Sequence, residues 1–257
     1  MFIIPEIDRN SIVSIAGAGG KTSLMFFLSR TLPFPCLTTT TTKVGFDQIA
    51  AADLCLTYSD FAAFPQRLTG KKVIWVSPEL DPEKSKISGF SCASFSRFAR
   101  LAASMDLPVV NEADGAHGRH IKSPAAHEPV IPAETTVLLH LTGLDVLGKP
   151  VSEEVVHRPG QFMKITGAGQ NDLLTDDLVI RNILHPQSGF TGVPPGCRKI
   201  AVLTQADTAE REAHGRNIAE RLLSSGMLDC VWITRLFPLR DRQIIVVRPE
   251  NTQRFIF

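Results

Sequence analysis

The stretch SIVSIAGAGGKTSLMFFLS, residues 11–29, decides how the rest of the chain is read. An apolar run of strand type enters a glycine-rich turn and leaves as a helix that carries Lys21 and Thr22 in its first turn. Glycines let the backbone turn tightly and aim successive N–H groups at an anion, and the helix N-terminus adds its dipole. In a phosphate-binding loop of this kind the lysine reaches the β- and γ-phosphates and the threonine hydroxyl ligates Mg²⁺. The eight-residue form of the motif begins with glycine where this chain has Ile15, so the match is the shorter Gly17, Ala18, Gly19, Gly20, Lys21, Thr22, with Ser23 following. The competing reading is a plain strand-to-helix turn.

Outward from that loop, short apolar runs alternate with longer segments of helical period, the pattern of a parallel sheet covered by helices. Strands are predicted at 11–16, 35–39, 54–58, 72–76, 107–112, 136–141, 199–204, 230–234 and 243–247, and helices at 21–32, 90–103, 172–184 and 208–225. The expected fold is α/β, P-loop NTPase-like, with a mostly parallel sheet flanked by helices and elaborated loops at 114–132, 143–170 and 185–198. One domain over 1–257 is the reading, with the Gly/Pro-rich HPQSGFTGVPPGCR marking where a C-terminal subdomain, 199–257, would begin.

The composition agrees with such a domain. The 257 residues are 44% hydrophobic and 21% charged, with 27 Lys+Arg against 26 Asp+Glu, so no basic field points to nucleic acid. Five scattered cysteines with no C-x-x-C pair predict reduced thiols, and no apolar run nears the length of a membrane span. A cytoplasmic protein with no membrane and no nucleic-acid partner is expected.

A phosphate loop needs an acid at the end of a second buried strand, and LPVVNEADG, 107–115, supplies Glu112 and Asp114. Both are candidate Mg²⁺ ligands beside Thr22, since an extended chain would put them on one face. Farther on, KIAVLTQAD, 199–207, resembles the turn by which G proteins read guanine, with Asp207 accepting from the base; Thr204 and Gln205 depart from that pattern. Asp207 as the N-cap of the next helix is the alternative. The threonine run 38–42 and Lys43 sit where Thr40 and Lys43 would approach the γ-phosphate or metal, although threonines are also good strand material.

The loop GAHGRHIKSPAAHEPVIP gathers His117, Arg119, His120, Lys122 and His127. Arg119 and Lys122 are the candidates for phosphate there, and Arg158 in VVHRPG is a weaker candidate for a transition-state clamp. ITGAGQND, 165–172, reads as a loop and helix cap.

In that order, GAGGKTSLMFFL, the threonine run with Lys43, NEADGAHGRHIKSPAAHEPVIP, TGLDVLGKP with VHRP, and VLTQAD resemble the YqeC-type accessory proteins of selenium-dependent molybdenum hydroxylases. The resemblance spans roughly residues 12–207 and is most specific from EADG to HEPVIP. It implies a cytoplasmic NTP-binding protein, using ATP or GTP, whose partner is a molybdenum hydroxylase or its cofactor. Two function classes follow. One is a Mg²⁺-dependent NTP hydrolase or phosphotransferase in which Lys21 and Arg119 neutralise charge while Thr22 with Glu112 or Asp114 holds the metal. The other is a nucleotide-gated chaperone or cofactor-binding protein with little turnover.

Overall fold

The computed structural model describes residues 6–81, 83–126, 128–236 and 241–257. Ten strands form one sheet: β1 (Ile12–Gly17), β2 (Cys36–Thr40), β4 (Leu54–Thr57), β5 (Val73–Ser77), β7 (Val109–Glu112), β9 (Val137–Gly143), β11 (Arg198–Thr204), β12 (Cys230–Arg235), β13 (Gln243–Val247) and β14 (Thr252–Ile256). Their order across the sheet is β14, β13, β12, β11, β9, β1, β7, β2, β5, β4. The eight from β12 to β4 run parallel, and β13 and β14 turn back antiparallel at one edge. Two small ribbons stand outside it: β3 (Lys43–Gly45) antiparallel to β6 (Lys86–Ser88), and β8 (Ile121–Lys122) parallel to β10 (Val156–His157).

Alternation along the strands divides the core between the two faces. On one face Val13, Ile15, Val73, Trp75, Leu139, Leu141, Val202 and Trp232 pack with α1 (Lys21–Thr31), whose Leu24, Met25, Phe27 and Leu28 are all buried. The opposite face carries α2 (Tyr58–Ala63) and α3 (Cys92–Ser104) over Leu37, Ile74 and Val76, and α4 (Pro159–Thr166), α5 (Asp176–Leu184) and α6 (Ala209–Leu223) over Ala201, Leu203, Val231 and Ile233. In α3 the buried Phe95, Phe98, Ala99 and Ala102 follow helical spacing, and the Ser91 side chain caps its first turn. Among the described residues, no helix is long and apolar enough to cross a membrane.

The α/β class, the predicted strands and the predicted helices are all present, with shifted ends. The helix expected from Asp172 starts at Asp176 because the Thr175 hydroxyl caps it. Several expected loops are more ordered than their composition suggests. Residues 143–170 contain β10 and α4, and 114–132 contain β8. The Gly/Pro-rich 185–198 lies over the middle of the sheet, where Phe190, Val193 and Cys197 pack on Ala16 and Leu138. Strands β11 to β14 continue the same sheet beyond it. The ITGAGQND stretch is a loop, as expected, but the helix end it caps is the C-terminus of α4, through the left-handed Gly167.

Candidate functional site

β1 lies between β7 and β9, and the chain leaves β1 toward β2 on one side while β9 and β11 build the other. Ligands of open α/β sheets bind beyond the carboxyl ends of the strands at such a reversal. The glycine turn from β1 to α1 stands there. Gly17, Gly19 and Gly20 have φ of 86°, 105° and 98°, a region open at low cost only to glycine. The turn is also crowded: a Cβ on Gly17 would lie 2.3 Å from the Leu141 carbonyl oxygen, and one on Gly19 would lie 2.8 Å from Thr204 Oγ1. Ala18 is buried and its N–H donates to Leu141.

Lys21 is buried and folded back over the turn. Its Nζ donates to the Gly17 carbonyl at 2.9 Å and lies 3.3 Å from Asp114 Oδ1 and 3.9 Å from Glu112 Oε1. The Thr22 hydroxyl donates to Glu112 Oε2 at 2.7 Å, and Asp114 Oδ2 accepts the Gly17 N–H at 3.0 Å. β7 ends at Glu112, so Asp114 is past the strand and the alternation expected of an extended chain does not apply to it; both carboxylates nonetheless converge on Lys21. Burial pushes the Glu112 carboxyl up, against the opposite pull of Lys21 and the Thr22 hydroxyl.

Behind this pair the charges continue in alternation. Lys122 Nζ lies 3.0 Å from Asp114 and 2.9 Å from Glu128, and Arg158 binds both oxygens of Glu128. The parallel pairing of β8 with β10 brings the basic loop and the VHRP turn together. Burial alone would raise the Glu128 carboxyl, but Arg158 and Lys122 outweigh it and hold it at about 2. Lys122 was expected to meet phosphate, and Arg158 was the weaker candidate for a transition-state clamp; both side chains instead pair with Glu128, and Lys122 is 2% exposed. Sequence reasoning missed Glu128, whose only signal is an acid within an otherwise basic loop. His127 lies outside the described residues.

A cleft of about 1170 Å³ opens over the turn and is lined by Lys21, Thr22, Ser23 and Glu112, by the loop from Gly115 to His120, and by Thr41, Thr42 and Lys43. Arg119 lines it, with Nε donating to the Glu153 carbonyl and an Nη to that of His117. Lys43 is exposed at its wall. Thr40, expected to face the nucleotide, is instead fully buried: its hydroxyl donates to the Glu112 carbonyl at 2.8 Å and clamps β2 to β7, leaving Thr41 and Thr42 at the cleft.

On the other side of the turn a smaller cavity of about 330 Å³ is lined by Gly19, Gly20, Ser23, His120, Thr204, Gln205 and Asp207. Thr204 Oγ1 and Gln205 Nε2 both donate to the Gly19 carbonyl, at 2.8 and 3.2 Å, so the TQAD turn is fastened to the glycine turn. Asp207 does not cap α6; the Thr208 hydroxyl does, accepting from Arg211 N. The Asp207 carboxyl is raised by partial burial, opposed by Arg211 and Arg235.

A strand, a turn of three left-handed glycines and a helix opening with Lys-Thr, set at the reversal point of a mostly parallel sheet beside a strand-end acid, define a P-loop NTPase-like α/β protein. Within that class the chain belongs to the YqeC family. The sequence model described as YqeC protein matches residues 13–160. The chain is also 28% identical, over 229 residues, to the uncharacterized protein YqeC of Escherichia coli (strain K12), an alignment that covers 88% of this chain and 87% of that protein.

Proposed function

We propose that the chain binds a nucleoside triphosphate with Mg²⁺ and hydrolyses or transfers its γ-phosphoryl group. The observation that carries this reading is the resting place of Lys21. A primary ammonium is held against the Gly17 carbonyl at the mouth of a glycine turn of the kind that aims N–H groups at an anion. Phosphate oxygens would replace that carbonyl as acceptor. The donor set suits a hard cation, because the Thr22 hydroxyl and a Glu112 oxygen are already 2.7 Å apart. Mg²⁺ in phosphate sites takes one or two carboxylates and completes its shell with phosphate and water. Glu112 fits that role better than Asp114, whose oxygens already serve Gly17 N, Lys21 and Lys122. When bound, the metal supplies charge neutralisation on the phosphates. Lys21 would add a second positive charge there and Arg119 a third. Asp207, in the smaller cavity, is the candidate contact to the base, ATP or GTP. Calorimetry of ATP and GTP against wild type and Lys21→Ala tests the reading: equal affinity in both proteins would reject it.

The alternation of Lys21, Asp114, Lys122, Glu128 and Arg158 supports a second reading, a nucleotide-gated binding protein with little turnover. Recruiting Lys21 to phosphate would leave Asp114 to Lys122 and loosen Lys122 from Glu128, so occupancy would be felt at the VHRP turn. Single-turnover NTP hydrolysis separates the two readings. Family membership and the motif resemblance support a cytoplasmic accessory role in maturing a selenium-dependent molybdenum hydroxylase. Loss of hydroxylase activity on deleting the gene, restored by wild type and not by Lys21→Ala, would bear that role out.

A further inference from the structure

The cleft is larger than a nucleotide's phosphates require, and its far wall belongs to elements the nucleotide reading does not use. Pockets for one small ligand typically run to roughly 1,000 Å³, and this cleft holds about 1170 Å³, with the Asp207 cavity adjoining it across Gly19, Gly20, Ser23 and His120. The wall is the β3/β6 ribbon with the segment leading into α3: Lys43, Lys86, Ser88 and Ser91 line it. Two strand spacings, roughly 10 Å, separate β1 from β2, after which β3 follows, so this wall stands to one side of the glycine turn. The Asp207 cavity stands two strands away on the other side, beyond β9.

Strand alternation explains why the ribbon presents charge. Val44 and Ile87 pair across it and are buried in the core, which turns their neighbours Lys43, Lys86 and Ser88 to the opposite face. In the register, Lys43 faces Ser88 and Lys86 faces Gly45, so the two lysines are diagonal neighbours with Cα atoms roughly 7 Å apart. Both are exposed, and neither has an ion-pair partner among the described residues, in contrast to Lys84, which pairs with Glu79 and Asp81. Asp47 is the acidic group on this wall, and it folds back over Gly45, where a Cβ would lie 2.5 Å from its Oδ1. The ribbon is braced on β2: Gly89 N donates to the Thr42 carbonyl and Phe90 N to that of Thr40, and a Cβ on Gly89 would meet Thr40 O at 2.3 Å. An unpaired, diagonal lysine pair with hydroxyls beside it, on a backbone held this closely, suits a group of two negative charges.

We propose that the β3/β6 wall is a second-ligand site, in which Lys43 and Lys86 bind a small molecule bearing a phosphate or a pair of carboxylates, placed beside the γ-phosphate position. Its place next to that phosphate rests on the nucleotide reading; the anion site itself does not. Lys43 then serves this ligand and not the nucleotide.

Amide chemical shifts, followed while inorganic phosphate or succinate is titrated into the protein, test the site directly. In wild type, the amides of Thr42, Lys43, Lys86 and Ser88 should shift and saturate, with the non-hydrolysable ATP or GTP analogue present as well as without it. Lys43→Gln with Lys86→Gln should weaken that response at least tenfold while the analogue's shifts at Gly19 and Gly20 stay within twofold in affinity. A thermal melt close to wild type is expected, because both lysines are exposed. Response to phosphate alone would assign a phosphate-bearing ligand, and response to both anions a general dianion site. Ribbon amides that stay still in wild type, or that respond equally in the double variant, would overturn the proposal. If the analogue leaves Gly19 and Gly20 unmoved while the ribbon binds anions, the nucleotide reading fails and the anion site stands.

Discussion

Thr22 and Glu112, ninety positions apart in sequence, meet through a 2.7 Å hydrogen bond from hydroxyl to carboxylate. The contact joins the first turn of α1 to the end of β7 and makes one donor pair from two motifs. In Glu112→Gln, the neutral amide oxygen is a poorer ligand for a hard cation. Mg²⁺-dependent turnover should fall at least tenfold, while nucleotide binding in EDTA changes little. Full turnover in the variant would place the metal elsewhere.

Lys21 is a buried ion-pair member as well as a candidate phosphate ligand, so Lys21→Ala should carry a stability cost. Removing it leaves Glu112 and Asp114 facing each other with less compensation, and breaking a buried pair costs about 3 kcal/mol or more. Protonating a carboxyl relieves the repulsion. The deficit in melting temperature relative to wild type is therefore expected to shrink from pH 8 to pH 5. A deficit independent of pH would mean that the carboxylates find other partners.

His140 is buried in β9 and its Nδ1 has no hydrogen-bond partner among the described residues. Burial lowers its pKa to about 4, with further lowering from Lys122 and Lys21 opposed by Asp114. Between that value and the unfolded value near 6.5 the unfolded chain binds the extra proton, so acid destabilises the fold on the order of 1 kcal/mol per pH unit from this group. The slope of unfolding free energy between pH 6.5 and 4 should be shallower in His140→Leu. Identical slopes in denaturant melts would remove His140 as a cause.

The three glycines of the turn are not equivalent. At Gly17 a methyl group would meet backbone at 2.3 Å in addition to the positive φ, whereas at Gly20 the nearest atom, Gln205 Nε2, is 3.7 Å away. Gly20→Ala should cost about 1–2 kcal/mol from backbone strain alone. Gly17→Ala should cost clearly more, because β1 and β9 must part. Equal melting temperatures for the two variants would contradict the close packing of Gly17 on Leu141.

In G-protein-like base reading, the residue before the alanine of the turn covers the base. Here Gln205 and Thr204 are both fastened to the Gly19 carbonyl, so of the polar side chains of this turn Asp207 is the one left to meet a base in the cavity. A solvent-open carboxylate discriminates weakly. Competition of GTP against ATP should show at most a modest guanine preference that disappears in Asp207→Ala. A preference that survives the substitution would put base recognition outside this turn.

The buried parallel strands were legible because each is a short apolar run bounded by turn residues, and α3 and α6 because their apolar residues recur at helical spacing. β14 was not, since its outward edge position leaves Thr252, Gln253 and Arg254 exposed. Two- and three-residue ribbons such as β8 with β10 have too little pattern to stand out locally, although they bring Glu128 to Arg158 and set Lys43 beside Lys86.

By itself the sequence determined the α/β class and the glycine turn with Lys21 and Thr22, since hydrophobic period, turn chemistry and helix start are properties of near neighbours. Only the tertiary structure decided that Thr40 braces β7, that Lys122 and Arg158 are spent on Glu128, and that Glu112 meets Thr22 while Asp114 is taken by backbone and two lysines. Those outcomes depend on strand order and on register between segments far apart in the chain. Burial then favours whichever opposite charge or hydrogen-bonding group that register brings within reach.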